Sequence, residues 1–247
     1  GDLCIGKEAT FEMMQAILDE IIEIFPSEYI HIGGDEATKS SWVECEECQR
    51  RMREEGLQSV DELQSYMIHR IEEYLNAKGR QIIGWDEILE GGLAPNATVM
   101  SWRGEEGGLA AAAAGHKVVM SPHAYCYIDA PQDAPPMQPE AIGGYLPLEK
   151  VYSYDPAPET MSAKVAYHIK GVQANLWAEF IVTDSHYEHM LWPRAIAIAE
   201  IGWSNPSPET KDVEEFIGRA KELARYYSVF GWTFARHFYE DGVQVGW

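Results

Sequence analysis

Cysteine is scarce in this chain of 247 residues, which holds four: Cys4, Cys45, Cys48 and Cys126. That number, at such uneven spacing, excludes the disulfide framework of a small secreted scaffold. Cys45 and Cys48 form a C-x-x-C. A tetrahedral zinc site needs a second pair of ligands at similar spacing, and no other C-x-x-C, C-x-x-H or H-x-x-x-H occurs, so no metal and no organic cofactor is expected. Basic residues are also few: 19 Lys and Arg stand against 40 Asp and Glu, a formal charge of -21. Such a surface repels polyanions, which argues against nucleic acid or an anionic membrane as partner and leaves a neutral substrate as the better fit. Long apolar runs are missing as well. No stretch approaches the ~18 residues of a membrane span, and residues 1–30 lack a basic stretch followed by a short apolar run, so no signal peptide is expected.

What is present is a globular composition, 46% hydrophobic, with strands and helices in alternation. The spacing of Phe11, Met14, Ile17, Leu18, Ile21 and Ile22 predicts a helix over 9–25, ended before Pro26. A strand at Tyr29–Ile32 stops at Gly33-Gly34. A helix over 60–77, closed by Gly79, leads to a strand at 81–84, and further strands are predicted at 98–102, 117–121 and 171–177. Helices are expected at 109–114, at 186–199 with Pro193 as an interruption, and at 213–227. The stretch 122–160, rich in Pro, Gly and Tyr, reads as a long functional excursion, because the βα rhythm resumes after it.

This alternation implies an α/β fold of (β/α)8 TIM-barrel type, with its site at the C-terminal ends of the strands. Eight strands close such a barrel and five are found, the first preceded by a helix. Residues 1–247 are therefore expected to be one domain, the C-terminal portion of a barrel represented by about five βα units. A second copy in a homodimer, or a missing N-terminal half, would have to cover the exposed sheet edges.

The strand ends carry the chemistry. His31-Ile32-Gly33-Gly34-Asp35-Glu36 places two adjacent carboxylates behind a glycine pair. Adjacent side chains on a regular strand face opposite ways, so both serve one pocket only if the backbone is irregular there, which the glycines permit. For an isolated Asp-Glu pair the plainer reading is a turn cap and a solvated glutamate. The other strand ends change that judgement: Trp85-Asp86-Glu87, Ser101-Trp102-Arg103 and Asn175-Leu176-Trp177-Ala178-Glu179, with Tyr125-Cys126-Tyr127-Ile128-Asp129 shortly after a fourth strand. Indole faces pack on the apolar C–H faces of a pyranose while carboxylates accept hydrogen bonds from its hydroxyls, so the set reads as a sugar pocket.

H-x-G-G-D-E followed in order by W-x-E, S-W-R-G, Y-x-D and L-W-x-E resembles the family 20 β-N-acetylhexosaminidases, over about Leu3 to Trp203. The resemblance implies an exo-acting, retaining hydrolase of terminal β-linked N-acetylglucosamine or N-acetylgalactosamine. Its substrate would be an oligosaccharide or glycoconjugate, and the substrate's own acetamido oxygen would replace an enzyme nucleophile, giving an oxazolinium intermediate. By position, Glu36 resembles the general acid and base, and Asp35 the partner that orients the acetamido group. Tyr127, with Tyr125 as the alternative, resembles the tyrosine bonded to the acetamido oxygen. Trp85, Trp102 and Trp177 resemble the sugar-enclosing walls, and Asp129 and Glu179 the acceptors for O4 and O6. His31 has two readings, a residue ordering Asp35 or Glu36 and a structural histidine.

The family's early-strand arginine, and the acid and histidine that position its catalytic acid, find no counterpart in this chain; Arg103 sits in the wrong motif for that arginine. The competing reading is therefore a catalytically incomplete fragment or sugar-binding module of the same family. Glycan-digesting relatives are commonly exported, which points to a periplasmic or extracellular location.

Overall fold

The first helix forms because apolar side chains recur on one face and Phe25-Pro26 ends it; in a computed structural model of the chain, α1 spans Glu8–Ile24 and buries Phe11 and Leu18. The structure describes residues 2–133 and 138–238. In chain order there follow β1 (Tyr29–His31), α2 (Ser40–Glu44), α3 (Glu46–Glu55), α4 (Val60–Ala77), β2 (Gln81–Trp85), β3 (Thr98–Ser101), α5 (Glu106–Ala113) and β4 (Val118–Met120). Beyond them lie α6 (His123–Cys126), α7 (Leu148–Tyr152), α8 (Ala163–Ala166), β5 (Ile169–Val172), α9 (Asp184–Leu191), α10 (Arg194–Ser204) and α11 (Val213–Phe230). The strands run in the order β1-β2-β3-β4-β5, and β1 with β2 and β2 with β3 pair in parallel, His31 opposite Ile83 and Trp85 opposite Met100. This is the α/β class with a parallel sheet that the alternating pattern predicts. Among the described residues no helix is long and apolar enough to cross a membrane.

The chain divides into two compact units, 1–119 and 120–247. In the first, α4 has the bounds its periodicity predicts. Ser59 caps it by accepting from the Glu62 N–H at 3.2 Å, and Gly79, at φ +73, lets the Arg80 N–H return to the Leu75 carbonyl at 2.9 Å. Its inner face buries Leu63, Ile68, Ile71 and Leu75, each worth about 1.5–3 kcal/mol of transfer free energy. Leu63 also joins a cluster with Ile5, Phe11, Trp42, Cys48 and Met52, the last three supplied by α2 and α3. These helices were not expected. The acidic residues Glu44, Glu46 and Glu47 read as a solvated face, yet α3, which begins with the last two of them, turns Cys48 and Met52 inward.

In the second unit the expected strand at 171–177 is corrected to Ile169–Val172. Beyond Val172 the pairing narrows to an isolated parallel bridge between Asn175 and Tyr127, supported by buried side chains: Ser121 Oγ donates to the Gln173 carbonyl at 2.8 Å and Asn175 Nδ2 donates to Ser121 Oγ at 2.6 Å. The helix expected over 186–199 is two helices, α9 and α10, separated at Trp192-Pro193 by a cis peptide bond.

Candidate active site

The carboxylate pair sits on a loop whose backbone is bent as the glycines allow. Gly33 and Gly34 have φ of +73 and +94, and Glu36 itself adopts φ +52, a left-handed conformation uncommon for a residue with a side chain. Such local strain persists only where surroundings over-determine it, and here they do. The Gly33 carbonyl accepts from the Trp85 N–H at 2.9 Å, and the Gly34 carbonyl accepts from the buried Gln64 amide at 2.7 Å. At the far end Lys39 Nζ binds Asp61 at 2.5 Å and Glu90 at 2.6 Å, while Asp2 accepts from Thr38 Oγ1 at 2.9 Å and from the Lys39 N–H at 3.0 Å. Between these anchors Asp35 and Glu36 are both exposed.

His31 lies at the base of the loop. Its Nδ1 accepts the Gly33 N–H at 3.1 Å, and its ring lies 4.8 Å from that of Trp85. Desolvation of the ring pushes its pKa below the usual histidine value against the pull of the Asp35 charge, although the residue as a whole is exposed. An accepting Nδ1 and a depressed pKa describe the neutral imidazole. His31 orders the turn before Asp35 through this bond, and among the described residues it makes no hydrogen bond to either carboxylate.

Trp85 and Trp102, at the ends of β2 and β3, meet edge to face at 6.5 Å. What holds the second indole is a residue the sequence reading left without a role. Trp102 Nε1 donates to Glu87 Oε2 at 2.8 Å, and the buried Glu87 carboxyl is pushed up by desolvation, partly offset by this bond and by Arg103. Arg103 reaches Asp86 at 3.1 Å and Glu90 at 2.9 Å, so Glu90 joins Arg103 to the Lys39 anchor of the carboxylate loop. Gly107 makes room for this network, since a Cβ there would lie 2.8 Å from Asp86. The adjacency of W-D-E and S-W-R-G in the sequence was the available signal.

The second unit carries the other named residues. Tyr127 bridges in parallel to Asn175, with the Ile128 N–H bonded to the Asn175 carbonyl at 2.8 Å, which sets the Tyr127 and Trp177 rings 6.3 Å apart. Tyr125 instead stacks on the buried Tyr154 at 4.7 Å beneath the Lys150 ammonium. Asp129 is 5% exposed and its Oδ1 has no hydrogen-bond partner among the described residues; burial raises its pKa against the charge of Arg194. Glu179 is exposed.

Arg194, fully buried, was also missed. It donates to the carbonyls of Ile128, Ala130, Leu146 and Met190 and thereby holds the segment on either side of Asp129. Its signal is a lone arginine opening an apolar helix.

The model of the glycosyl hydrolase family 20 catalytic domain matches residues 1–206. The chain belongs to this family. A β-hexosaminidase of Porphyromonas gingivalis is 48% identical over 217 residues, which are 87% of this chain and 28% of that protein. Among solved family 20 structures, the exo-β-N-acetylglucosaminidase of Vibrio harveyi in complex with N-acetylglucosamine superposes with a TM-score of 0.85 at 30% identity, covering 96% of this chain and 37% of that one. The β-N-acetylhexosaminidase of Bacteroides fragilis gives 0.80 at 27% identity, covering 94% and 47%. The chain thus spans between about a quarter and a half of the length of these family 20 relatives, consistent with part of a barrel.

Proposed function

We propose that residues 1–247 form the C-terminal portion of a family 20 catalytic domain that removes terminal β-linked N-acetylhexosamine from oligosaccharides or glycoconjugates outside the cytoplasm. Glu36 acts as general acid on the glycosidic oxygen and then as base on water. Asp35 orients the 2-acetamido group, whose oxygen attacks the anomeric carbon to give an oxazolinium ion and net retention. Tyr127 donates to that oxygen, Trp85, Trp102 and Trp177 enclose the sugar, and Asp129 and Glu179 accept from O4 and O6.

The observation that carries the reading is the strained, multiply anchored loop that presents Asp35 and Glu36 from the end of β1. The open Oδ1 of Asp129 adds to it, since a buried carboxylate oxygen without a partner suits a ligand hydroxyl. The test is hydrolysis of para-nitrophenyl N-acetyl-β-glucosaminide by the protein with its upstream strands present, where Glu36→Gln should lower kcat by about 10²–10⁴-fold. Unchanged turnover would overturn the role of Glu36.

A second reading follows from the length of the chain against its relatives. Taken alone it binds sugar without turning it over. Sugar binding without activity at any protein concentration supports this reading, and activity that rises steeply with concentration supports self-association of copies instead.

A further inference from the structure

Three of the four cysteines, the Cys45–Cys48 pair and the distant Cys4, come together. Cys4 precedes α1, Cys45 lies between α2 and α3, and Cys48 is in the first turn of α3; their sulfurs all lie within 4.8 Å of one another, and all are free thiols. Cys4 Sγ is 3.6 Å from Cys45 Sγ and 3.8 Å from Cys48 Sγ. Two thiolates on a tetrahedral zinc at about 2.3 Å are held about 3.8 Å apart, whereas a disulfide brings its sulfurs to about 2.05 Å. Both spacings match the zinc value.

Fixed backbone builds the cluster. A Cβ on Gly6 would lie 2.1 Å from the Glu47 carbonyl carbon and 2.5 Å from the Cys48 nitrogen, so the strand of chain after Cys4 lies directly on the Cys45–Cys48 turn, and only glycine fits there. Trp42 Nε1 donates to the Leu3 carbonyl at 2.9 Å, and Thr10 Oγ1 to the Cys4 carbonyl at 2.6 Å, fixing the same segment from either side. Cys48 is fully buried and the other two are half-buried, packed against Trp42, Phe11 and Met52. Close spacing in the sequence brings together only Cys45 and Cys48; the fold supplies the third sulfur, Cys4, from 41 residues away.

We propose that Cys4, Cys45 and Cys48 bind one zinc ion through three thiolates, with solvent in the fourth position. Among the described residues no histidine, aspartate or glutamate joins the three sulfurs. Each thiol that enters as S–H releases its proton to solvent and its sulfur donates the electron pair of the new S–Zn bond, with no change of oxidation state. Soft thiolates favour zinc over calcium or magnesium. The ion staples residues 3–6 to the α2–α3 corner, which directly follows the loop bearing Asp35 and Glu36, and so serves as a structural metal.

The experiment is cobalt substitution in the purified, fully reduced, zinc-free protein, followed by absorption spectroscopy. Co²⁺ should produce an intense sulfur-to-metal charge-transfer band with tetrahedral d–d bands at about one equivalent, and Zn²⁺ should abolish them. Cys126→Ser should keep the bands, and Cys45→Ser or Cys48→Ser should lose them. Absence of thiolate–cobalt bands in the unsubstituted protein would overturn the proposal, whether or not the variants fold. So would a Cys4–Cys45 or Cys4–Cys48 disulfide in peptides from protein isolated without reductant.

Discussion

Two glycines show how a residue without a side chain determines where charged residues stand. At Gly34 the backbone has φ +94 and an added Cβ would lie 2.5 Å from Ile88 Cγ2; at Gly84 it would lie 2.7 Å from the same atom. Ile88 is fully buried and fills the space both leave. Gly34→Ala therefore meets a steric and a torsional obstacle at once, and should destabilise the protein by about 1–3 kcal/mol. Because Gly34 lies one residue before Asp35, the variant should also lose kcat/KM on the aryl substrate by more than its stability loss explains at a temperature where it remains folded. Ile88→Ala, which removes the clashing atoms, should recover part of the lost activity when combined with Gly34→Ala. No recovery in the double variant would place the defect in the torsion alone.

Among the elements, α10 holds the segment 126–131 through Arg194. Arg194 donates to the carbonyls of Ile128 and Ala130 on either side of Asp129, and its burial depresses the guanidinium pKa to about 9. Arg194→Met leaves those buried carbonyls without donors and should cost about 3–5 kcal/mol, read from the shift in urea midpoint. Arg194→Lys cannot reach several carbonyls at once and should rescue little of it. A midpoint within the error of the parent for the Met variant would mean that the segment is held by other contacts.

How legible each element was follows from what holds it. The helix at 60–77 was readable to the residue because propensity, a serine cap and a closing glycine agree with the burial of one face. The order of strands and the motif at each end were equally plain, since each strand is a short apolar run stopped by a polar or glycine residue. β5 was placed too late because the apolar Val172 and Leu176 look alike in the sequence, whereas only the first stays in the regular strand; beyond it the pairing narrows to the Asn175–Tyr127 bridge, supported by Ser121 from a distant position. Likewise Asp35, Glu36 and the tryptophans stood out by type and spacing, but the supports Gln64, Glu87, Glu90 and Arg194 did not, because their partners are brought close only by the fold.

At the scale of the whole molecule, buried neutral histidines set how the acidic chain responds to pH. His189 is 4% exposed, is bonded to Gln138 at 3.2 Å, and is pushed by burial down to about 3, with Arg194, His186 and His237 adding repulsion. An unfolded histidine titrates near 6.5. Above that value both states are neutral and His189 has no effect on the pH slope. Below it the unfolded chain takes a proton that the folded chain refuses, so stability falls by about 1.4 kcal/mol per pH unit toward pH 3. His31 and His186, also depressed by desolvation, act in the same direction. Carboxylates that are depressed by ion pairing, such as Glu8 beside Arg70 and Glu200 beside Arg219, lose their contribution only as pH falls below about 4.5. Asp129 and Glu87, raised by burial, act in the opposite sense. The window between pH 6.5 and 5 therefore isolates the histidines once parent and variant are compared. Urea midpoints of the parent should drop from pH 7 to pH 5.5, and His189→Gln should drop less, by about 1 kcal/mol. Parallel declines in the two proteins would show that His189 accepts its proton while folded, and would place the acid sensitivity in the remaining histidines.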